Sequence, residues 1–242
     1  MGIIYGKNPV LEAISSGTTI NKIYAQTSNK EIDSVIKEAL KRKIIVVNTD
    51  KQKLDKMIDG KNSQGIIASI TDFKYSDVSE IIEYAKSKNE LPFIVILDKI
   101  EDPHNLGAII RSCECMGVHG VIIQKRNACQ ITDTVEKVAA GACSYVKVAR
   151  VTNITESIKE LKKNGLWIYG LDMNGESEVY NTKLEGAIGI VVGNEGSGIS
   201  RLVKENCDAL MKIPMTGKIN SLNASVSVAI TIYEVVRQKN IK

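Results

Sequence analysis

The 242-residue sequence predicts an α/β protein in two units: a small mixed unit over residues 1–75 and a larger one over 91–242 with a mostly parallel sheet. Three observations carry this reading. From Leu91 onward, near-continuous apolar runs alternate with stretches of helical periodicity, as strands covered on both faces require. Before Tyr75 the same alternation runs on a shorter period. Between the two, residues 76–90 are polar and read as a connector.

In the first unit, Asn8-Pro9 reads as N-cap and first helical residue of a helix over 10–16, because the fixed φ of proline suits the first turn. Residues 20–25 have the β-branched and aromatic character of a strand. Residues 31–43 place Ile32, Val35, Ile36, Ala39 and Leu40 at helical spacing before the apolar run 44–47. Asp50 is placed to cap a short helix around 54–58, and 65–70 closes the unit as a strand. In the connector, Val78, Ile81, Ile82 and Ala85 share one face of a partly helical stretch.

The second unit has strand patterns at 93–97, 118–123, 145–148, 166–171 and 187–192, with helical patterns at 105–116, 131–140 and 153–163. A further strand ends near Pro214, and a terminal helix begins at Ser221 with Leu222, Val226, Ala229, Ile230 and Tyr233 on one face. No internal repeat or low-complexity segment interrupts this order.

Composition narrows the class. With 43% hydrophobic and 25% charged residues, disorder, collagen and coiled coil are excluded as global descriptions. Net charge is +4, which permits a nucleic-acid partner without requiring one. The excess has an address: residues 1–75 hold 12 basic and 8 acidic side chains, the connector is −2 and the remainder +2. No apolar run approaches the roughly 20 residues that span a bilayer, and the first residues lack the pattern of a secretion signal. A cytoplasmic protein with no membrane partner is therefore expected. The five cysteines do not form a disulfide framework, and no four-ligand cluster points to a metal.

Three motifs sit where strands end, which is where open α/β sheets bind ligands. After Asp98 comes Asp102-Pro103-His104-Asn105-Leu106-Gly107, with Arg111 six residues beyond Asn105. Asn105 occupies an N-cap-like position at the start of a helix. The second motif is Gly193-Asn194-Glu195-Gly196-Ser197-Gly198, where three glycines allow a ligand close to the backbone. Its spacing is neither a P-loop nor a dinucleotide fingerprint. The third runs from Ile213-Pro214-Met215 to Ser221-Leu222-Asn223, where Ser221 reads as the cap of the terminal helix.

In this order and at these strand ends, the motifs closely resemble the SpoU/TrmH family of the SPOUT superfamily, S-adenosyl-L-methionine-dependent RNA ribose 2′-O-methyltransferases. The likeness spans about residues 91–238. Residues 6–13, together with Gln64-Gly65-Ile66, resemble the small L30e-like substrate-binding domain of the subgroup that methylates a guanosine of 23S ribosomal RNA. Ser63 stands where a histidine often precedes the Gln-Gly pair. The resemblance implies a trefoil knot in the second domain, a homodimer packed through it, 23S rRNA as partner and no DNA. It implies catalytic or site-shaping roles for Asn105, Arg111, Glu195, Ser221 and Asn223. It implies cofactor contacts for Gly193, Ile213 and Leu222, with Leu171, Asn194 and Gly196 in the same pocket. Arg111 is expected to orient the ribose or its phosphate electrostatically, since guanidinium stays protonated. His104 adjoins Asn105, yet the resemblance requires no histidine base.

Other readings are a transfer-RNA or resistance-type ribosomal-RNA 2′-O-methyltransferase, an RNA-binding module without catalysis, and a nucleotide-binding protein that never touches RNA. The intact set Asn105, Arg111, Glu195 and Asn223 argues for the enzyme.

Overall fold

The computed structural model describes residues 2–70, 73–218 and 221–240, the side chain of Asn240 excepted. Ile219 and Asn220, inside the third motif, lie outside the described residues. The chain divides into two compact units, 1–74 and 75–242.

The first unit runs β1 (Gly2–Tyr5), α1 (Lys7–Ser15), β2 (Ile20–Ala25), α2 (Asp33–Lys41), β3 (Val46–Asn48), α3 (Lys51–Met57) and β4 (Ile66–Ile70). Its sheet has the order β1-β4-β2-β3, antiparallel except for the β2–β3 pair. Ile14, Ile23, Ile32, Val35 and Ile66 form its core beneath α1 and α2. Asp50 caps α3 as expected, its Oδ1 accepting from the Lys53 N–H at 2.9 Å. The cap of α1 differs from expectation. The helix starts at Lys7, and Gly6 occupies the N-cap with φ 92°, so Asn8 and Pro9 already lie within the first turn. Ser63 is buried, and its Oγ accepts from the Gly65 N–H at 3.3 Å, which shapes the turn into β4.

The second unit runs α4 (Val78–Ser87), β5 (Phe93–Asp98), α5 (Pro103–Cys115), β6 (Gly120–Gln124), α6 (Asp133–Ala139), β7 (Lys147–Val151), α7 (Ile154–Lys163), β8 (Trp167–Leu171), β9 (Ser177–Glu178), β10 (Ile188–Gly193), α8 (Arg201–Asn206), β11 (Ala209–Lys212) and α9 (Ala224–Asn240). Its seven strands are all parallel, in the order β7-β6-β5-β10-β8-β11-β9. β5 and β10 are buried along their whole length, as the apolar runs 93–97 and 188–192 require, and Asp98 closes β5 as a buried carboxyl group.

The connector expected over 76–90 is corrected by this structure. Its apolar face seats α4 in the core of the second unit, where Val78, Ile81 and Ile82 join Ile94, Ile122 and Ile158. Ile81 lies directly over Gly120, where a Cβ would come within 2.6 Å of it. Burying each such aliphatic side chain stabilises by about 1.5–3 kcal/mol, more than a solvated linker offers. The terminal helix also turns a different face inward than the sequence suggests. Val228, Ile232 and Val235 are buried, whereas Val226, Ile230 and Tyr233 are exposed at 44%, 40% and 57%. Among the described residues, no helix is long and apolar enough to cross a membrane.

Candidate active site

The polar centre of the site depends on how α5 begins. Asp102, not Asn105, is the N-cap: Pro103 takes the first helical position, and Asp102 Oδ2 accepts from the Asn105 N–H at 2.9 Å. Asn105 therefore sits inside the first turn with its carboxamide free to reach outward. Its Nδ2 donates to Glu195 Oε1 at 3.1 Å, and its Oδ1 accepts from Asn223 Nδ2 at 2.8 Å. Asn223 Nδ2 is shared with the same Glu195 oxygen at 2.7 Å, and the Ala224 N–H adds a third donor at 3.0 Å.

Asn223 is also the cap that the sequence reading gave to Ser221. Its Oδ1 accepts from the Ser225 and Val226 N–H groups at 3.0 and 3.4 Å, and α9 starts at Ala224. One side chain thus terminates a helix with its oxygen and binds the cluster with its nitrogen. Glu195 faces the N-terminus of α9, where backbone N–H groups favour a negative charge.

Beside this cluster lies a cavity of about 270 Å³. It opens at the C-terminal ends of β8, β10 and β11, and Leu171, Val192, Ile213 and Leu222 supply apolar walls. Gly193, Asn194, Glu195, Gly196 and Ser221 complete the expected lining. Gly193 is needed for space: a Cβ there would stand 2.1 Å from the Gly198 carbonyl carbon. The loop over 194–198 folds directly onto it, tied by the Gly198 N–H to the Asn194 carbonyl at 2.8 Å. Gly198 has φ 64°, the left-handed region. The carboxamide oxygen of Asn194 is used inside this loop, Oδ1 accepting from the Gly196 and Ser197 N–H groups at 2.9 and 3.4 Å.

Of the eleven residues expected from sequence, the structure gathers ten around the cavity and its polar rim. Arg111 stands apart. It is exposed, six residues along α5 from Asn105, and has no hydrogen bond or ion pair among the described residues. His104 is exposed at the start of the same helix and belongs to neither cavity nor cluster.

Sequence reading missed an ion pair in the wall, Lys204 Nζ to Asp172 Oδ2 at 2.5 Å. Burial opposes ionisation of Asp172, but Lys204 and the Asn174 N–H outweigh it and hold the carboxyl below the ordinary carboxylate value. The available signal was position, since Asp172 directly follows β8 and Lys204 lies in the helix after the glycine loop. Met215, on the segment returning from β11, also lines the cavity.

Comparison with known proteins matches this arrangement. The profile of the SpoU rRNA Methylase family matches residues 92–233, and that of RNA 2′-O ribose methyltransferase substrate binding matches 3–76. The chain is 40% identical over 239 residues to YacO of Bacillus subtilis (strain 168), assigned to the TrmH family of tRNA/rRNA methyltransferases, covering 98% of this chain and 96% of that one. A protein of Staphylococcus aureus (strain MSSA476) with the same assignment is 43% identical over 240 residues, with the same coverage. Among solved structures, the SpoU methyltransferase AviRb from Streptomyces viridochromogenes, in complex with AdoMet, superposes with a TM-score of 0.64 at 20% identity. That alignment covers 99% of this chain and 91% of AviRb, and it shows the shared fold. On the profile match and the full-length relatives together, the chain belongs to the SpoU rRNA methylase family of RNA methyltransferases.

Proposed function

We propose that this protein transfers the methyl group of S-adenosyl-L-methionine to a ribose 2′-hydroxyl of RNA, and that the target is a guanosine of 23S ribosomal RNA. The observation that carries the reading is the convergence of Asn105, Glu195 and Asn223, from three distant parts of the chain, at the rim of an apolar cavity built on a glycine loop. Apolar walls with backbone polar groups suit an adenosyl group. In the cavity lining Asp172 is matched by Lys204, which leaves the carboxylate of Glu195 to suit a ligand that carries positive charge.

The reaction forms a bond from the ribose oxygen to the methyl carbon as the carbon–sulfur bond breaks, and the hydroxyl proton leaves to water or an RNA phosphate. The protein contributes alignment and charge. Glu195, held by three donors, and the Asn105–Asn223 pair fix the rim against which the ribose is placed. Arg111 is exposed and uncommitted, which suits a bidentate contact to an RNA phosphate.

The first unit, which carries the +4 excess, is read as the RNA-docking domain, with residues 75–242 catalytic. Ile213, Met215, Ser221 and Leu222, which lie between β11 and α9, share the cavity lining with the loops after β8 and β10, and Asn223 bonds to Glu195, an arrangement that supports a trefoil knot. The exposed stripe Val226, Ile230 and Tyr233, at i, i+4 and i+7 on α9, supports a homodimer formed through this domain. The functional test is to supply methyl-labelled cofactor with separate pools of large-subunit, small-subunit and transfer RNA. Label is expected in large-subunit RNA; label in transfer RNA alone would overturn the substrate.

A further inference from the structure

Asp98 and Lys99, at the end of β5, do not line the cavity, yet both hold the glycine loop. Asp98, the last residue of β5, is completely buried, and its Oδ2 accepts from the Ser200 N–H at 2.6 Å. Its Oδ1 is also buried and has no partner among the described residues. Burying a carboxyl group with half of its acceptors unused is costly, so its retention calls for a physical reason. Ser200 is where the glycine loop ends and α8 begins, so Asp98 grips the exit of that loop.

Lys99, the next residue, grips the other end. It holds φ 61°, a conformation that side-chain-bearing residues adopt uncommonly. In that conformation its carbonyl accepts from Asn194 Nδ2 at 3.2 Å. Asn194 in turn organises the loop through its Oδ1. The Lys99 backbone is held from behind by Gln124, at the end of β6, whose Oε1 accepts the Lys99 N–H at 3.1 Å. The backbone of Gln124 is itself tied down, its carbonyl accepting from Nε2 of the buried Gln130 at 2.9 Å.

We propose that Asp98, Lys99 and Gln124 form a clamp that pre-shapes the glycine loop for the cofactor, and that Gln124 is a positioning residue acting from outside the cavity. The assignment rests on reading the cavity as the S-adenosyl-L-methionine site. The clamp holds Asn194, where the loop begins, and Ser200, just beyond its end, at the end of one fully buried strand, so the loop need not be ordered when the cofactor arrives. Among the described residues Gln124 reaches the site through the Lys99 backbone, so the acceptor it offers, and not its contact with any ligand, sets its effect.

The test uses the full chain and S-adenosyl-L-methionine itself, with binding measured by calorimetry. Gln124→Met removes the acceptor at nearly constant size, and Gln124→Glu keeps it. The clamp predicts that Gln124→Met raises Kd roughly ten-fold, the order expected when one partly buried hydrogen bond is lost, and that Gln124→Glu stays within about three-fold of wild type. It also predicts faster amide exchange at Gly196 and Ser200 in cofactor-free Gln124→Met, at a melting temperature close to wild type. Wild-type affinity in Gln124→Met overturns the clamp, as does equal weakening in both variants. If Gln124→Met does not fold, Asp98→Ala against Asp98→Asn, which keeps an acceptor for Ser200, decides in the same way. Failure of the wild type to bind the cofactor overturns the site reading as well, which separates the two claims.

Discussion

Asn105 shows how one residue's role depends on a neighbour's. Both Asp102 and Asn105 precede the helical pattern, and either satisfies the capping rule on composition. Pro103 decides between them, because proline suits the first helical position and so makes Asp102 the cap. The motifs that line the cavity were legible in the sequence, whereas their bonding was not. Nothing local reveals that Asn105 and Glu195, 90 positions apart, share a hydrogen bond. Asn223→Asp isolates the cluster from the cap, since it keeps the oxygen that caps α9 and replaces the donor with a charge facing Glu195. Methyl transfer is expected to fall by roughly 10²-fold or more, with the thermal stability of the cofactor-free protein little changed. Unchanged turnover would remove the cluster from the chemistry. A second residue sets a pH limit on stability. His119 is buried, its Nδ1 accepting from the Phe93 N–H at 3.0 Å and its Nε2 bonded to Glu90 at 2.9 Å. Burial lowers its pKa below the ordinary 6.5 despite Glu90. The unfolded chain therefore takes up a proton before the folded one does. Stability contributed by neutral His119 is fully present above about pH 6.5 and is lost as pH falls through the lower folded value. In urea unfolding between pH 8 and 5, His119→Gln should flatten this slope; an unchanged slope would place the effect elsewhere.

At the scale of elements, α4 and α5 show what patterning conveys and what it hides. The apolar face of α4 is visible in the sequence, but its solvent side makes the stretch polar on average, so composition suggests a connector where packing makes a core helix. β1 has four residues, partly exposed at a sheet edge, and so carries too little pattern to stand out. α9 has two apolar stripes of the same period, and periodicity alone does not say which is buried. In α5, Gly107 belongs to the first motif, yet the structure assigns it to packing. A Cβ there would lie 2.7 Å from the Val138 Cβ and 2.9 Å from the Val135 carbonyl oxygen. α5 and α6 thus meet at a distance that only glycine allows. Gly107→Ala is expected to cost about 1–3 kcal/mol by overpacking, read as a lower denaturation midpoint. A variant as stable as wild type would show that the two helices separate without penalty.

For the whole molecule, the sequence conveyed the order of strands and helices and the site motifs. It did not convey which loops meet, because the seven strands do not pair in chain order and β10 lies between β5 and β8. That rearrangement carries the glycine loop to the end of β5 and the returning segment to Glu195. The exposed α9 stripe gives the proposed homodimer a direct test. Ile230→Asp is expected to convert a dimer into a monomer in sedimentation velocity, and a wild-type protein that is already monomeric at micromolar concentration would contradict the interface. Large-subunit, small-subunit and transfer RNA, each incubated with the protein and S-adenosyl-L-methionine carrying an isotopic methyl group, are digested to nucleosides and weighed by mass spectrometry. Isotopic 2′-O-methylguanosine is expected from large-subunit RNA; label on a base, or on transfer RNA only, would contradict the proposed reaction.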